Sequence, residues 1–202
     1  MITHIALFGV QKEMLDIILL VILILLSGFF SGMEIAFMSM SDLRISYLVN
    51  HDYKNAKILS KLKKDPQRLL ILILIGNNIV NIGASAIATS IAIKMFGSIG
   101  VGIATGMMTL IILIFGEISP KAYCTTNSEK VALAVSPLML FLSKVFYPLV
   151  EVFNYITSVI TRFFGKNIKR PLITEDEVKN IIKIGQEEGS IKESEKRMIH
   201  NV

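Results

Sequence analysis

Met107-Met108-Thr109-Leu110-Ile111-Ile112-Leu113-Ile114-Phe115-Gly116-Glu117-Ile118-Ser119-Pro120-Lys121 is apolar enough to lie in lipid until Glu117 interrupts it. A carboxylate at that depth is expensive; it marks a functional site and faces a protein interior or a water-filled cavity. Pro120 sharpens the reading, because it has no N–H for the carbonyl four residues earlier, that of Gly116. A free backbone oxygen beside an acid reads as a pair of ligands for a hard cation.

The composition extends this reading to the whole chain. Its 202 residues are 52% hydrophobic, with a mean hydropathy of +0.61, and the apolar residues gather into blocks. These blocks run to about 20 residues or more, the length that crosses a bilayer core. The sequence therefore predicts an all-α integral membrane protein. The first block follows a single lysine and has no small-residue cleavage site after it, so it reads as a retained span. One cysteine, Cys124, excludes an intramolecular disulfide framework and a cysteine-rich metal site. The net charge of +5 sits next to the spans, where the positive-inside rule and anionic lipid account for it without nucleic acid.

Three spans are predicted: Leu15 to Met38, Leu69 to Ile93 and Ile99 to Tyr123. The first connection, Ser41 to Arg68, carries Arg44, Lys54, Lys57, Lys61, Lys63, Lys64 and Arg68, whereas the second offers Lys94 and a Gly97–Ser98 turn. The basic connection belongs in the cytoplasm, which puts the N-terminus outside and everything after Lys121 inside the cell membrane. The stretch Val131 to Phe164 is apolar but interrupted by Pro137, Lys144, Pro148, Glu151, Asn154 and Arg162, which favours helices at the cytoplasmic interface over the alternative, a fourth span that returns the C-terminus to the outside. Residues 1–170 form the membrane domain with this juxtamembrane belt, and 171–202 an acidic cytoplasmic helical segment. That segment opens on Thr174-Glu175-Asp176-Glu177, a capping box, and breaks at Gly189.

Polar residues recur on the other two spans. Ser27, Ser31 and Glu34 share one face of the first, with Gly28 and Gly32 on the neighbouring face. Asn77 and Asn81 share a face of the second, and Asn78 points about 100° away. Helix packing and interhelical hydrogen bonds account for each group alone. Taken together they offer hydroxyl, amide, carbonyl and carboxylate oxygens, without a histidine or cysteine, which suits Mg²⁺ or Na⁺ and argues against zinc and copper. Glu34 is the weaker of the two acids, since it lies near the cytoplasmic end. Gly102 and Gly106, and the smooth run Gly83, Ala84, Ala86 and Ala88, read as packing surfaces, including those of a dimer. His4, His51 and His200 are scattered, and no Walker, nucleophile-elbow or HExxH motif occurs, so the chain does not read as an enzyme.

Ser27-Gly-Phe-Phe-Ser31-Gly-Met-Glu34, Gly76-Asn77 with Asn81, and Gly116-Glu117-Ile118-Ser119-Pro120-Lys121 resemble, in this order, the transmembrane domain of the CNNM/CorB/CorC family of magnesium transporters. The resemblance covers nearly the whole chain. It implies a homodimer with three spans per subunit, a belt of juxtamembrane helices, and a site facing the cytoplasm that holds a largely dehydrated Mg²⁺. On matching positions the ligands would be Ser27, Ser31, Asn77, the Gly116 carbonyl and Glu117, joined by Asn78 and Asn81, with Pro120 shaping the turn. It further implies Mg²⁺ export coupled to Na⁺, and a CBS-domain pair that follows the acidic segment in the full-length protein. A membrane-embedded Mg²⁺ sensor regulating another transporter, and a dimeric anchor whose polar residues only join helices, are the alternatives.

Overall fold

A computed structural model describes residues 2–164; the acidic segment predicted for 171–202 lies outside them. The chain divides into two compact units, Met1–Ser158 and Val159–Val202, and the described helices lie in the first apart from the end of the last helix. All regular structure among the described residues is helical: α1 (Ile2–Met38), α2 (Asp42–Asn50), α3 (Ala56–Lys63), α4 (Pro66–Phe96), α5 (Gly100–Ile111), a π-helical segment (Ile112–Ile118), α6 (Ser119–Val145) and α7 (Tyr147–Phe164).

Local chemistry sets the boundaries. The Ser41 hydroxyl accepts the Arg44 N–H at 3.2 Å and starts α2, and the Asp65 carboxylate accepts the Arg68 N–H at 3.1 Å, with Pro66 next to it, and starts α4. Gly97, with φ of 64°, ends α4, and the short 3₁₀ turn Gly97–Ile99 sends the chain back as α5. The return is tight: a Cβ on Gly100 would stand 2.3 Å from the Ala92 carbonyl oxygen.

Two stretches are long and apolar enough to cross a membrane, Glu13–Met38 and Pro66–Val145, and the second is folded on itself at the Gly97–Ile99 turn. α1 lies against both arms of that hairpin. Gly76 of α4 abuts Phe30 and Gly83 abuts Leu23, so these two helices run antiparallel, while Gly28 and Gly32 abut Pro120 and Cys124, so α1 and α6 run parallel. Lys94 and Asp16, 3.2 Å apart, join α4 to α1 at one end.

The close-packed core sits at the opposite end. Ala36 and Phe37 of α1, Leu48 of α2, Leu59 of α3, Leu72 and Ile73 of α4, and Ala132 and Met139 of α6 are all buried there. The other half of α1, including Leu15, Ile18, Ile22 and Leu25, is exposed and apolar, as a helix solvated by lipid tails should be. Ion pairs fasten the belt to the rods: Arg44 to Glu129 at 2.6 Å and Arg68 to Glu151.

The helices outrun the predicted spans at the start of the first, at both ends of the second and at the end of the third. The stretch Val131 to Phe164 is not detached from the third rod: α6 bends at Asn127 (φ −119°, ψ 21°) and continues through Pro137 to Val145. Hydropathy reports the depth at which a residue is apolar, and a helix does not stop where its side chains become polar. Proline inside α6 is tolerated for a specific reason. Pro137 leaves the Leu133 carbonyl without its N–H, and the Asn55 amide of the α2–α3 connection donates to it at 2.9 Å. Asn55 is itself in the left-handed region, with φ of 65°.

Asn55→Gly, which keeps that backbone conformation and removes the amide, is expected to cost about 1–2 kcal/mol of stability. In a Pro137→Ala background, where the helix regains its own donor, the same substitution should cost clearly less. Thermal unfolding of the four variants in detergent micelles tests this, and equal costs in both backgrounds would disprove the link.

Candidate metal centre

The stretch around Glu117 does more than lose one hydrogen bond. From Ile112 to Ile118 the helix rewinds to π register, and the Ser119 N–H reaches back five residues to the Ile114 carbonyl. A π segment widens the turn and commonly marks a functional site in a helix. The sequence predicts a free Gly116 carbonyl and a turn shaped by Pro120, but not the π register. The rewound turn is the tertiary answer to the same proline, which also wedges against Gly28: a Cβ there would lie 3.0 Å from both the Pro120 ring and the Phe115 carbonyl oxygen.

Gly28 and Gly32 stand one helical step apart, as do Pro120 and Cys124, so the glycines of α1 receive the proline and the cysteine of α6 in parallel register. This contact brings the Ser27 face onto the π turn. Ser27 is fully buried, and its hydroxyl donates to the Gly116 carbonyl at 3.4 Å. The fit leaves no room for a side chain, since a Cβ on Gly116 would meet the Ser27 Oγ at 2.5 Å. Two oxygens on adjacent corners of an octahedron around Mg²⁺, each about 2.1 Å from the ion, stand about 3 Å apart. The Ser27–Gly116 separation is close to that spacing.

One turn along α1, Ser31 is fully buried and its Oγ has no hydrogen-bond partner. An orphaned hydroxyl costs about 1–3 kcal/mol, so a group that supplies its partner stabilises the arrangement. On α4, the Asn81 amide donates weakly to the Asn77 side-chain oxygen at 3.5 Å, and its own Oδ1 is buried and unpartnered. Glu117, next to Gly116, is half-buried and has neither a hydrogen bond nor an ion pair among the described residues. Its neighbour one turn on, Lys121, binds Glu34 instead, at 3.0 Å.

Asn78 stands apart. It is exposed, donates to the Leu74 carbonyl of its own helix at 2.8 Å, and lines an apolar lateral groove of about 870 Å³ between α4 and α7. The structure therefore joins Ser27 to Gly116 and pairs Asn77 with Asn81, while Asn78 faces elsewhere. Sequence reading did not find the Glu34–Lys121 pair or the seating of Pro120 on Gly28. The second had a trace: a four-residue step of small residues on one helix and a Pro-x-x-x-Cys step on another are a matched pair, visible only once the helices are known to touch. Among the described residues no three His, Cys, Asp or Glu side chains converge. Any cation held here would rest on one carboxylate with hydroxyl, amide and backbone oxygens.

The fold and the site thus define a helical membrane domain built around a proline-distorted, oxygen-rich turn. Residues 18–195 match the Cyclin M transmembrane N-terminal domain, and the chain belongs to that family. It is 40% identical over 167 residues to a UPF0053 protein of Haemophilus influenzae, covering 82% of this chain and 40% of that protein. It is 39% identical over 140 residues to the UPF0053 inner membrane protein YfjD of Escherichia coli, covering 69% and 33% respectively. A polyamine export protein of Haemophilus influenzae is 30% identical over 201 residues, covering 92% of this chain and 46% of that protein. The chain spans less than half the length of each of these three relatives.

Gly116→Ala is expected to destabilise the domain by about 1–3 kcal/mol, because the new methyl collides with the Ser27 hydroxyl. Ser27→Ala added to it should restore most of that loss, since the hydroxyl is the closer obstacle. Melting temperatures of the single and double variants decide: strictly additive losses would mean that the two residues are not in contact.

Proposed function

We propose that this domain binds Mg²⁺ in a largely dehydrated form between α1, α4 and the π turn, and moves it across the membrane. Ser27, Ser31, Asn77 and Asn81 would supply side-chain oxygens, Gly116 its carbonyl and Glu117 the charge. The observation that carries this reading is the buried Ser27 hydroxyl held against the Gly116 carbonyl, with the Ser31 hydroxyl unpartnered one turn away. Oxygens of these kinds are the ligands of hard cations. A single acid reduces the charge the site can balance, which favours an ion that must later leave.

The reading extends to three crossings per subunit, with α4 and α5 as the two arms of the hairpin and the basic α2–α3 connection in the cytoplasm. α1 and the α5–α6 rod run parallel, as first and third crossings must. The N-terminus is then outside and the site opens toward the cytoplasm, where Glu34 and Lys121 form the partly exposed pair near its mouth. Two copies would pair through faces such as that of Gly102 and Gly106, where, beyond the adjoining turn of their own helix, no atom of the described residues lies within 4 Å of an added Cβ. Export coupled to Na⁺ and control by a following CBS pair complete the proposal for the full-length protein.

The name of the polyamine export relative favours a second reading, an organic polycation as cargo. The contact between Ser27 and Gly116, too close for a single added methyl, supports the smaller ion.

Flux into vesicles loaded with a Mg²⁺-sensitive dye, compared for the native chain and Glu117→Ala with and without a Na⁺ gradient, tests the proposal. Glu117-dependent Mg²⁺ flux is the expected result, reduced at least about tenfold in the variant, the loss that follows from removing a charged ligand worth more than about 1.4 kcal/mol. Undiminished flux in Glu117→Ala would remove that residue from the site. Spermidine flux in place of Mg²⁺ flux would establish the polycation reading, and Mg²⁺ binding without flux the sensor.

A further inference from the structure

Resting on the transport reading, we infer that the notch between α4 and α5 is the outward arm of the cation path, a hydroxyl-lined and water-filled passage from the metal centre toward the outer face. The notch has a volume of about 290 Å³; Ser85 and Thr89 of α4 and Thr105 and Thr109 of α5 give it a hydroxyl side, and Ala104, Met108, Ile112 and Leu113 give it an apolar one. Waters occupying about 30 Å³ each would fill it several deep.

Its residues are not a random sample of these helices. Thr105 and Thr109 are the only polar side chains of α5, and both face this notch. On α4, Asn77, Asn81, Ser85 and Thr89 follow one another at four-residue steps, so one polar stripe leads from the amide pair of the metal centre into the notch. The buried, unpartnered Oδ1 of Asn81 stands one step from Ser85, where the stripe leaves the site.

The hydrogen bonds set the polarity of the passage. Thr89 donates to the Ser85 carbonyl at 2.8 Å, Thr105 to the Val101 carbonyl at 2.9 Å and Thr109 to the Thr105 carbonyl at 2.7 Å. Each threonine proton is thereby turned into its own helix, and the lone pairs of the hydroxyl remain for the notch. Such back-bonding is also how a threonine satisfies itself when it faces lipid. Thr105 and Thr109 are exposed, and what sets them apart is that they line the same notch as Ser85 and Thr89. A wall of acceptors suits a cation passing with part of its water shell and disfavours an anion.

Cysteine accessibility tests the inference without requiring transport. Thr105→Cys, Thr109→Cys and Leu110→Cys, all three at exposed positions and only the last outside the notch, are placed one at a time in the full chain in cells. A membrane-impermeant cationic methanethiosulfonate is added outside, and the native chain, whose one thiol is the buried Cys124, gives the background. Because a thiol reacts as thiolate and needs water to ionise, the two notch positions are expected to label at least about tenfold faster than Leu110→Cys, and faster with the cationic reagent than with an anionic one. Labelling no faster than at Leu110→Cys would overturn the inference. Thr89→Val and Thr109→Val should lower Mg²⁺ flux several-fold while leaving Mg²⁺ binding unchanged, and unaltered flux would likewise overturn it. A dry notch beside Glu117-dependent flux sinks this inference alone, whereas a wet notch without Mg²⁺ flux sinks the magnesium reading alone.

Discussion

A proline in a helix leaves one carbonyl without a donor, and this chain answers that deficit twice with a side chain from elsewhere. Pro120 frees Gly116, which Ser27 of α1 reaches, and Pro137 frees Leu133, which Asn55 reaches. At lipid depth an unsatisfied backbone oxygen costs several kcal/mol, so the first contact constrains which face of α1 meets the third rod. Gly28 and Gly32 accept the proline and cysteine of that rod because nothing larger fits. The second contact ties the α2–α3 connection to α6 and lets the third rod continue into the belt. The site and the frame that holds it share one physical origin.

The uneven distribution of packing follows from the two solvents. Where helices meet water they must bury their apolar residues against each other, and the core of Phe37, Leu48, Leu59, Leu72 and Met139 lies there. Where lipid replaces water, burial gains little from the hydrophobic effect, and the helices are held by small residues, close backbone approach and hydrogen bonds. Ser27, Ser31 and Gly116 are buried where those two regimes meet.

The polar residues of α1, α4 and the third rod form a graded series. Glu34 and Lys121 neutralise each other near the belt, Glu117 has no ion-pair partner among the described residues beside the freed carbonyl, and the amides of Asn77 and Asn81 lead on to uncharged hydroxyls. Charge is concentrated where water can reach it, and neutral oxygens occupy the stretch where a fixed charge would be hardest to sustain.

The sequence by itself determined the helical membrane class, the three apolar segments and the chemistry of the site, because hydropathy, proline geometry and the oxygen content of side chains are local properties. Ser27, Ser31, Gly116, Glu117 and Pro120 were legible as candidates for that reason, and their motifs carried the family. Tertiary structure decided what depends on which faces meet. It turned the free Gly116 carbonyl into a π turn against Ser27 and left Asn78 exposed on a neighbouring face of α4, apart from the pairing of Asn77 with Asn81. It also drew Lys121 to Glu34 and carried the third rod past Tyr123 to Val145. A helix has no local property that says which of its sides will be covered, so that information exists only once its neighbours are in place.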